Sequence, residues 1–301
     1  MGDRDVTVPR DRWAVARTAL KETGDRFAAL VAGAPDPGAM ATKEWTVAET
    51  AAHVVVISRM YTSLARADGT PLPIDGLGPA VAPVTIETVG LFNDVSLERF
   101  TERDPKVLAA RLRDDIAEIL RITADADPAT PVPWLGGSLV PIGGLFAHLV
   151  NEMLLHGWDI APAAGVRWAI PPRHAALFFD LFLLGMLANG TGGLLERPGT
   201  TPSPRRITVR FHSRYTTPAR LVAQAGKVTA GPPGPGTDVH VAFDPAALNL
   251  MLFGRISQPR AVLTGRLAAW GRRPWLLPEF LRTVRVPTIP YARGSAATDS
   301  R

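Results

Sequence analysis

The sequence contains no cysteine, and this absence removes several kinds of chemistry. Disulfide bridges and thiolate metal ligands are excluded, because both need a cysteine side chain. If the protein carries out thiol chemistry, the thiol must therefore enter as a substrate or a cofactor.

Long apolar runs are also missing. The richest apolar stretch, residues 175–187, contains Asp180 and is shorter than the roughly 20 residues that span a bilayer. The first residues, MGDRD, are polar and lack the apolar core of a signal peptide. We therefore expect a soluble, cytoplasmic protein that has no membrane partner.

Positive charge is only slightly in excess over negative charge. The chain has 33 lysines and arginines against 28 aspartates and glutamates, a net charge of +5, and the excess is mostly arginine in the C-terminal third. No nucleic-acid motif with interleaved aromatic residues accompanies it, so we expect no nucleic-acid partner. With 46% hydrophobic and 20% charged residues, the 301-residue chain is typical of a globular protein and long enough for two domains.

Hydrophobic periodicity in the first half predicts four long helices, over residues 10–33, 46–67, 85–125 and 141–163. Thr46 and Glu49 form a T-x-x-E capping box that marks the start of the second helix. The third helix is expected to bend or break near Asp104 and Pro105. Together these helices predict a four-helix bundle, whose interior is a usual place for a metal site.

The predicted fourth helix carries a polar stripe on an otherwise apolar surface. His148, Glu152 and His156 are four residues apart and Asp159 follows three residues later, so all four share one face. Two imidazoles and a carboxylate at this spacing can converge on a divalent metal ion. The same pattern also occurs on solvated helix faces, but the apolar neighbours favour a buried site. A catalytic zinc site takes about three protein ligands, so one ligand can come from another helix.

His53 lies in the second turn of the predicted second helix, among alanines and valines. A buried imidazole in such a setting needs a polar partner. From its neighbours alone, it is more typical of a hydrogen-bonded core histidine than of a metal ligand.

The pattern changes after residue 170. A helix over residues 174–189 and a Gly/Pro-rich linker over residues 190–204 precede alternating segments that predict strands at 205–213, 219–224, 228–230 and 239–243. The spacing of apolar residues again predicts helices, which begin at Asp244-Pro245, after Pro259 and at Pro274. The predicted fold class is α+β with two domains: a helix bundle over residues 10–165, a connecting helix and linker over 166–204, and a small α+β domain over 205–290.

Two stretches carry a family resemblance: residues 44–53 read EWTVAETAAH, and residues 152–161 read EMLLHGWDIA. They resemble the mycothiol-dependent maleylpyruvate isomerase family, whose N-terminal domain is a DinB-like four-helix bundle of actinobacteria. The resemblance implies a divalent metal ion, with zinc expected, held by His53, Glu152 and His156. His148, outside this triad, is then expected to line the pocket or to act through Glu152 rather than to be a fourth ligand. Asp159 is expected to orient His156 through its second nitrogen or to hold the chain at the helix end.

The C-terminal part resembles a sterol-carrier-protein-like domain through residues 244–255, DPAALNLMLFGR, and residues 263–271, LTGRLAAWG. Isomerases of the family need an arginine from their C-terminal domain. The resemblance makes Arg255 and Arg266 the first candidates for catalysis and cofactor binding, with Arg272 and Arg273 after them. Surface charge is the alternative interpretation of all four.

These features predict a metal-dependent enzyme that uses mycothiol as thiol cofactor or cosubstrate. It would add a thiolate to a small electrophilic substrate, or transfer one to it, as an isomerase or an S-transferase. Two alternatives stay open: a protein that binds a lipid or another apolar ligand and has a structural metal in the bundle, and a bundle with a purely structural role. The expected partners are small molecules.

Overall fold

The computed structural model describes residues 10–66, 68, 74, 76–194, 203–231 and 235–283. Within these ranges the chain forms a helical N-terminal domain and a C-terminal region built on a sheet, which confirms the predicted α+β class. The predicted linker lies partly, and the predicted domain end at 284–290 wholly, outside the described residues, so the domain limits stay predictions. None of the helices described is long and apolar enough to cross a bilayer.

Four helices form the N-terminal bundle, and α1 and α2 each pack against both α5 and α6. The helices of this domain are α1 (Arg10–Ala32), α2 (Val47–Arg66), α3 (Gly78–Val81), α4 (Val89–Arg99), α5 (Pro105–Ile122) and α6 (Ile142–Ile160). Their apolar faces share one core, in which Phe27, Leu112 and Phe146 are almost completely inaccessible. Burial of such large side chains is the main source of stability of the bundle.

The start of α2 is set by the predicted capping box. The backbone N–H of Thr46 donates to the Glu49 carboxylate at 2.8 Å, and the N–H of Glu49 donates to the Thr46 hydroxyl at 3.2 Å. These reciprocal bonds satisfy two N–H groups that a helix start leaves without partners. They also fix the helical register that turns His53 into the bundle.

The helix predicted over residues 85–125 consists of two helices, separated near the expected break. The side chain of Asp104 caps α5 by accepting hydrogen bonds from the backbone N–H groups of Lys106 and Val107. Pro105 then occupies the first position of α5, where its missing N–H costs nothing. The break allows α5 to join the bundle while α4 packs against α2.

The segment between α5 and α6, for which no regular element was predicted, contains a short hairpin. Strands β1 (Pro131–Pro133) and β2 (Leu139–Pro141) pair antiparallel around a 3₁₀ turn, Leu135–Gly137. Gly136 and Gly137 have φ of 67° and 68°, a left-handed conformation that favours glycine. The prolines hid these strands from the sequence pattern, because proline is depleted in most strands.

The helix predicted over residues 174–189 begins two residues earlier and contains an irregular turn. Helices α7 (Pro172–Leu177) and α8 (Leu184–Asn189) are joined by a π-helical turn, Phe178–Leu183. Phe178 and Phe182 stack in this turn with ring centroids 5.1 Å apart. A π turn widens the helix by one residue and cannot be read from a 3.6-residue period.

The C-terminal region is a five-stranded sheet in the order β5-β4-β3-β6-β7, with β3 and β6 parallel and the other pairs antiparallel. The strands are β3 (Ile207–His212), β4 (Ala219–Gln224), β5 (Lys227–Gly231), β6 (Val239–Phe243) and β7 (Leu267–Trp270). Helices α9 (Pro245–Leu252), α10 (Gln258–Leu263) and α11 (Leu277–Thr283) follow β6 and flank β7 in the chain.

The four strands predicted in this region are confirmed, whereas the prediction of helix after Pro259 missed β7. The three residues of β7 after Leu267 are exposed, so this strand lacks the alternation of buried and exposed residues that predicts a half-buried strand.

Asp180 in the π turn connects the first helix with the sheet. Its carboxylate lies 3.2 Å from the guanidinium of Arg12 in α1 and accepts a 3.0 Å hydrogen bond from the backbone N–H of Thr217, between β3 and β4. Burial raises the pKa of Asp180 from 3.8 to about 6, although Arg12 and Thr217 both lower it. A raised folded-state pKa contributes stability below about pH 4, and this contribution is lost as the pH rises through about 6.

Replacing Asp180 with asparagine should therefore stabilise the protein at neutral pH only. Asparagine keeps an oxygen for Thr217 and has no charge to bury, but it loses the attraction to Arg12. We expect a gain of about 1 kcal/mol at about pH 7.5 that disappears near pH 4.5. Urea unfolding of both proteins at the two pH values measures it, with the exposed Asp25→Asn as control. A gain of equal size at both pH values would contradict the assignment.

Candidate functional site

Three buried side chains from two helices meet inside the bundle. Nε2 of His53, from α2, lies 3.5 Å from Oε2 of Glu152, and Nε2 of His156 lies 3.3 Å from the same oxygen. One ligand atom from each of the three residues lies within 4.8 Å of the others. The side chains of His53, Glu152 and His156 are 7%, 9% and 8% exposed. The structure thus brings His53 to the other two residues, although it is far from them in sequence.

The electrostatics of this cluster favour a carboxylate anion beside a neutral imidazole. Burial by itself would raise the pKa of Glu152, but hydrogen bonds from His156 and His53 hold it well below its ordinary value. Burial lowers the pKa of His53. Burial also acts to lower the pKa of His156, but Asp159 and Glu152 outweigh it and the pKa is raised.

This donor set fits a divalent metal ion. Two imidazole nitrogens and one carboxylate oxygen are ligands that zinc takes at catalytic sites, where three protein ligands leave one position open. Related first-row ions accept the same donors. The separations of up to 4.8 Å require only small side-chain rotations to bring the donors onto one ion. His53, Glu152 and His156 are therefore the residues of the described chain that could hold a metal.

Asp159 and Arg255 extend the site towards the C-terminal region. Nδ1 of His156 lies 3.0 Å from Oδ2 of Asp159, a contact that orients an imidazole ligand through its second nitrogen. Arg255, after α9, donates to both oxygens of this carboxylate at 3.2 and 2.6 Å. Burial raises the pKa of Asp159, but His156 and Arg255 bring it below its ordinary value. The C-terminal region thus reaches His156 through one intervening carboxylate.

The structure shows that the C-terminal arginines proposed from the sequence have different partners and different exposure. Arg255 has a largely buried side chain and contacts Asp159, whereas Arg266 is half exposed and binds Asp244, the N-cap of α9, at 2.7 Å. Arg273 lies 3.7 Å from Asp238, and Arg272 is exposed. The contact with Asp159 distinguishes Arg255 from the others.

His148 lies one turn before Glu152 and faces its other carboxylate oxygen. Nε2 of His148 is 3.6 Å from Oε1 of Glu152, and its Nδ1 is 3.0 Å from the hydroxyl oxygen of Tyr61 in α2. The indole N–H of Trp134, next to β1, donates to the same hydroxyl at 2.9 Å. Sequence reasoning missed Tyr61 and Trp134, since a lone tyrosine in an apolar helix and a tryptophan in a proline-rich segment resemble packing residues.

Aromatic rings enclose the cluster on two sides. Trp45 packs against His53 and His156, with ring centroids 4.8 and 6.1 Å from theirs. Phe182, from the π turn, lies 4.6 Å from the ring of His148. Trp158 is 41% exposed. The enclosure surrounds the donor atoms with low-polarity material, where electrostatic interactions are stronger than in water.

Comparison with known proteins assigns the bundle to a family. Residues 16–161 match the family described as mycothiol maleylpyruvate isomerase N-terminal domain. Two similar solved structures are a mycothiol-dependent maleylpyruvate isomerase and a histidine-to-alanine mutant of such an isomerase. Each is 16% identical and covers 87% of this chain and 93% of that chain, with TM-scores of 0.48 for the first and 0.47 for the mutant. No curated protein matches. The matched residues, 16–161, contain the whole His53–Glu152–His156 cluster, so the candidate metal site lies within the part of the chain that is similar to the mycothiol maleylpyruvate isomerase N-terminal domain.

Proposed function

We propose that the protein is a metal- and mycothiol-dependent enzyme that adds a thiolate to a small electrophilic substrate, or transfers one to it. The observation that carries the proposal is the buried cluster of His53, Glu152 and His156 inside a domain of this family. The absence of cysteine agrees with an external thiol. Mycothiol is the thiol that the family name supplies.

In this proposal His53, Glu152 and His156 hold one divalent ion, with zinc expected. When bound there, the ion supplies a Lewis acid that lowers the pKa of an incoming thiol. With the ion bound, Asp159 would accept the Nδ1 proton of His156, and Nε2 of that ring would give up its proton and act as the ligand atom. Glu152 contributes the negative charge that balances part of the charge of the ion.

The proposed reaction needs no oxidant. The thiolate adds to an electrophilic carbon, a C–S bond forms, and the electron pair of the substrate double bond moves onto the conjugated carbonyl group. In an isomerisation, rotation about the former double bond follows, the pair returns, the C–S bond breaks and the thiolate leaves unchanged. In a transfer, the neighbouring carbon takes up a proton from water and the C–S bond remains.

Arg255 is proposed to position Asp159 and to donate to a carboxylate of the substrate or to a polar oxygen of mycothiol. A guanidinium has five N–H donors, and three contacts of Arg255 go to Asp159 and to the carbonyl of Phe253. The remaining donors can bind a carboxylate, for which a planar guanidinium is well suited. Arg266 keeps its partner Asp244 and has no part in this proposal.

Replacing Arg255 with alanine is expected to lower kcat/KM for thiol-dependent turnover about fivefold, or about 1 kcal/mol, a value that allows for the partial exposure of this arginine. Zinc content should stay unchanged, because all three proposed ligands remain. Steady-state kinetics and metal analysis measure the two effects, with Arg266→Ala as the matched control. Equal losses in the two variants would contradict a special role for Arg255.

The proposed function is tested by incubating the zinc-loaded protein with mycothiol and a panel of small α,β-unsaturated acids. Loss of substrate or of free thiol, dependent on both the metal and the protein, supports it. If no member of the panel reacts and mycothiol does not bind, the proposal is wrong.

The alternative of a lipid-binding protein has less support in the described residues. The inner face of the C-terminal sheet is covered by the protein's own side chains, including Phe179 of the π turn and Phe280 of α11, which is fully buried. These rings occupy the place where an apolar ligand would contact the strands. Mass spectrometry of an organic extract of the purified protein distinguishes the two functions, since a stoichiometric lipid would favour the alternative.

A further inference from the structure

Two histidines on the same face of α6 have chemically opposite partners. Nδ1 of His156 faces the carboxylate of Asp159, which can only accept a hydrogen bond when ionised. Nδ1 of His148 faces the hydroxyl of Tyr61, which can donate one. The partner of one ring nitrogen decides which nitrogen of a neutral imidazole carries the proton.

The direction of the hydrogen bonds around Tyr61 follows from Trp134. An indole N–H is a donor only, so the hydroxyl oxygen of Tyr61 accepts the 2.9 Å bond from Trp134. The hydroxyl proton is then available for Nδ1 of His148, 3.0 Å away. In the described part of the chain these are the two hydrogen bonds of this hydroxyl, and a buried donor without an acceptor would be costly.

We propose that Trp134 and Tyr61 fix His148 in the tautomer that carries its proton on Nε2, which turns an N–H towards Glu152 and leaves this nitrogen without a lone pair for a metal ion. The inference rests on the proposed function in one respect, the metal ion at His53, Glu152 and His156.

The position of His148 shows why its tautomer matters. Its Nε2 lies 3.6 Å from Oε1 of Glu152, while the other two histidines face Oε2 of the same carboxylate. A protonated Nε2 has no lone pair for a metal ion, and its N–H faces Oε1 of Glu152. Oε2 would then remain the oxygen available to an ion, and a coordination position that a fourth protein ligand would fill would stay open for the thiol.

Neighbouring rings hold His148 in this orientation. Its ring lies 4.6 Å from Phe182, 5.3 Å from Trp134 and 6.1 Å from Phe178, measured between centroids. A flip of the ring would place Nε2 next to Tyr61 and Nδ1 next to Glu152, inside this packed shell. Trp134 therefore acts twice, as the donor that orients Tyr61 and as part of the enclosure.

The tautomer can be measured by nuclear magnetic resonance on protein with isotope-labelled histidine. In the metal-free protein we expect His148 to show the pattern of a protonated Nε2. In the cadmium-loaded protein we expect metal–nitrogen couplings to His53 and His156 and none to His148. A coupling to His148, or a proton on its Nδ1, would overturn the proposal.

Tyr61→Phe separates the proposed cause from the influence of Glu152. Without the hydroxyl, the Nε2-protonated population of His148 should fall at least about twofold, because nothing then donates to Nδ1. Trp134→Phe should give a smaller fall, and Tyr215→Phe, the same change far from the site, should give none. If Tyr61→Phe and Trp134→Phe both leave the tautomer unchanged, Glu152 alone sets it and the roles of Tyr61 and Trp134 are wrong.

The two proposals can fail separately. A protein that binds no zinc or cadmium would contradict the proposed function, but the tautomer of His148 would still be measurable in the metal-free state. Urea unfolding of each variant provides the structural control. A change of tautomer with unchanged stability is the signature of a positioning role, whereas general loss of structure would disturb all histidine signals together.

Discussion

Replacing His53 with alanine is expected to lower the zinc affinity of the protein at least about 100-fold, since it removes one of three proposed ligands. Loss of an outer partner of a metal ligand costs about 10–100-fold, and loss of a ligand should cost more. We expect about one zinc ion per chain in the unsubstituted protein and almost none in the variant after dialysis. Elemental analysis and competition with a chromophoric chelator measure the two quantities.

Two histidine variants serve as controls for this experiment. His174, in α7, lies near Thr23 and Glu22 and outside the cluster, so His174→Ala should leave the zinc content unchanged. His148→Ala should weaken zinc binding about tenfold at most, because it removes only a contact to Glu152. If His53→Ala keeps its zinc while His148→Ala loses it, the proposed ligand set is wrong.

The part of the site that lies on α6 was predictable from the sequence. Glu152 and His156 are one turn apart, and helical geometry alone places them on one face. The capping box at Thr46 similarly predicted where α2 begins, and therefore that His53 lies in its second turn, among apolar neighbours. That His53 faces Glu152 did not follow from periodicity, because it depends on how α2 and α6 pack. Only the family resemblance indicated it.

The surroundings of the site depend on tertiary contacts that no local pattern encodes. Trp134 reaches Tyr61 because the β1–β2 hairpin folds back over the bundle, a turn that needs the left-handed conformation of Gly136. Phe182 reaches His148 because a π turn shifts the helical register. Neither the hairpin nor the π turn leaves a hydrophobic pattern by which it could be predicted from one sequence.

The choice among the C-terminal arginines was open for the same reason. Arg255 and Arg266 are both near the ends of short helices, and their neighbours in sequence do not distinguish them. Their acidic partners do: Asp159 belongs to α6 and contacts a proposed ligand, whereas Asp244 caps α9 within the C-terminal region. The packing of α9 against α7 and α6 brings the region that carries Arg255 to the site.

Removing the metal is expected to weaken mycothiol binding at least tenfold, about 1.4 kcal/mol, and to lower thiol-dependent turnover at least about 100-fold. An ordinary thiol has a pKa near 8.5, so only a few per cent of it is ionised at neutral pH. The three donor atoms of the buried cluster already lie close enough together to bind one divalent ion. Thiolate is a soft donor that zinc accepts well. Titration calorimetry with the zinc-loaded, metal-free and reloaded protein measures the difference.

S-methylated mycothiol provides the matched control for this prediction, since it keeps the sugar hydroxyl and amide groups but has no ionisable thiol. Contacts of those groups lie outside the metal ligands and should bind the control equally in both forms. A tenfold difference for mycothiol that is absent for the methylated compound therefore assigns the effect to the sulfur. Equal binding of mycothiol with and without metal, or no binding in either form, would leave the bundle intact and end the thiol mechanism, and a lipid-binding function would then have to be tested first.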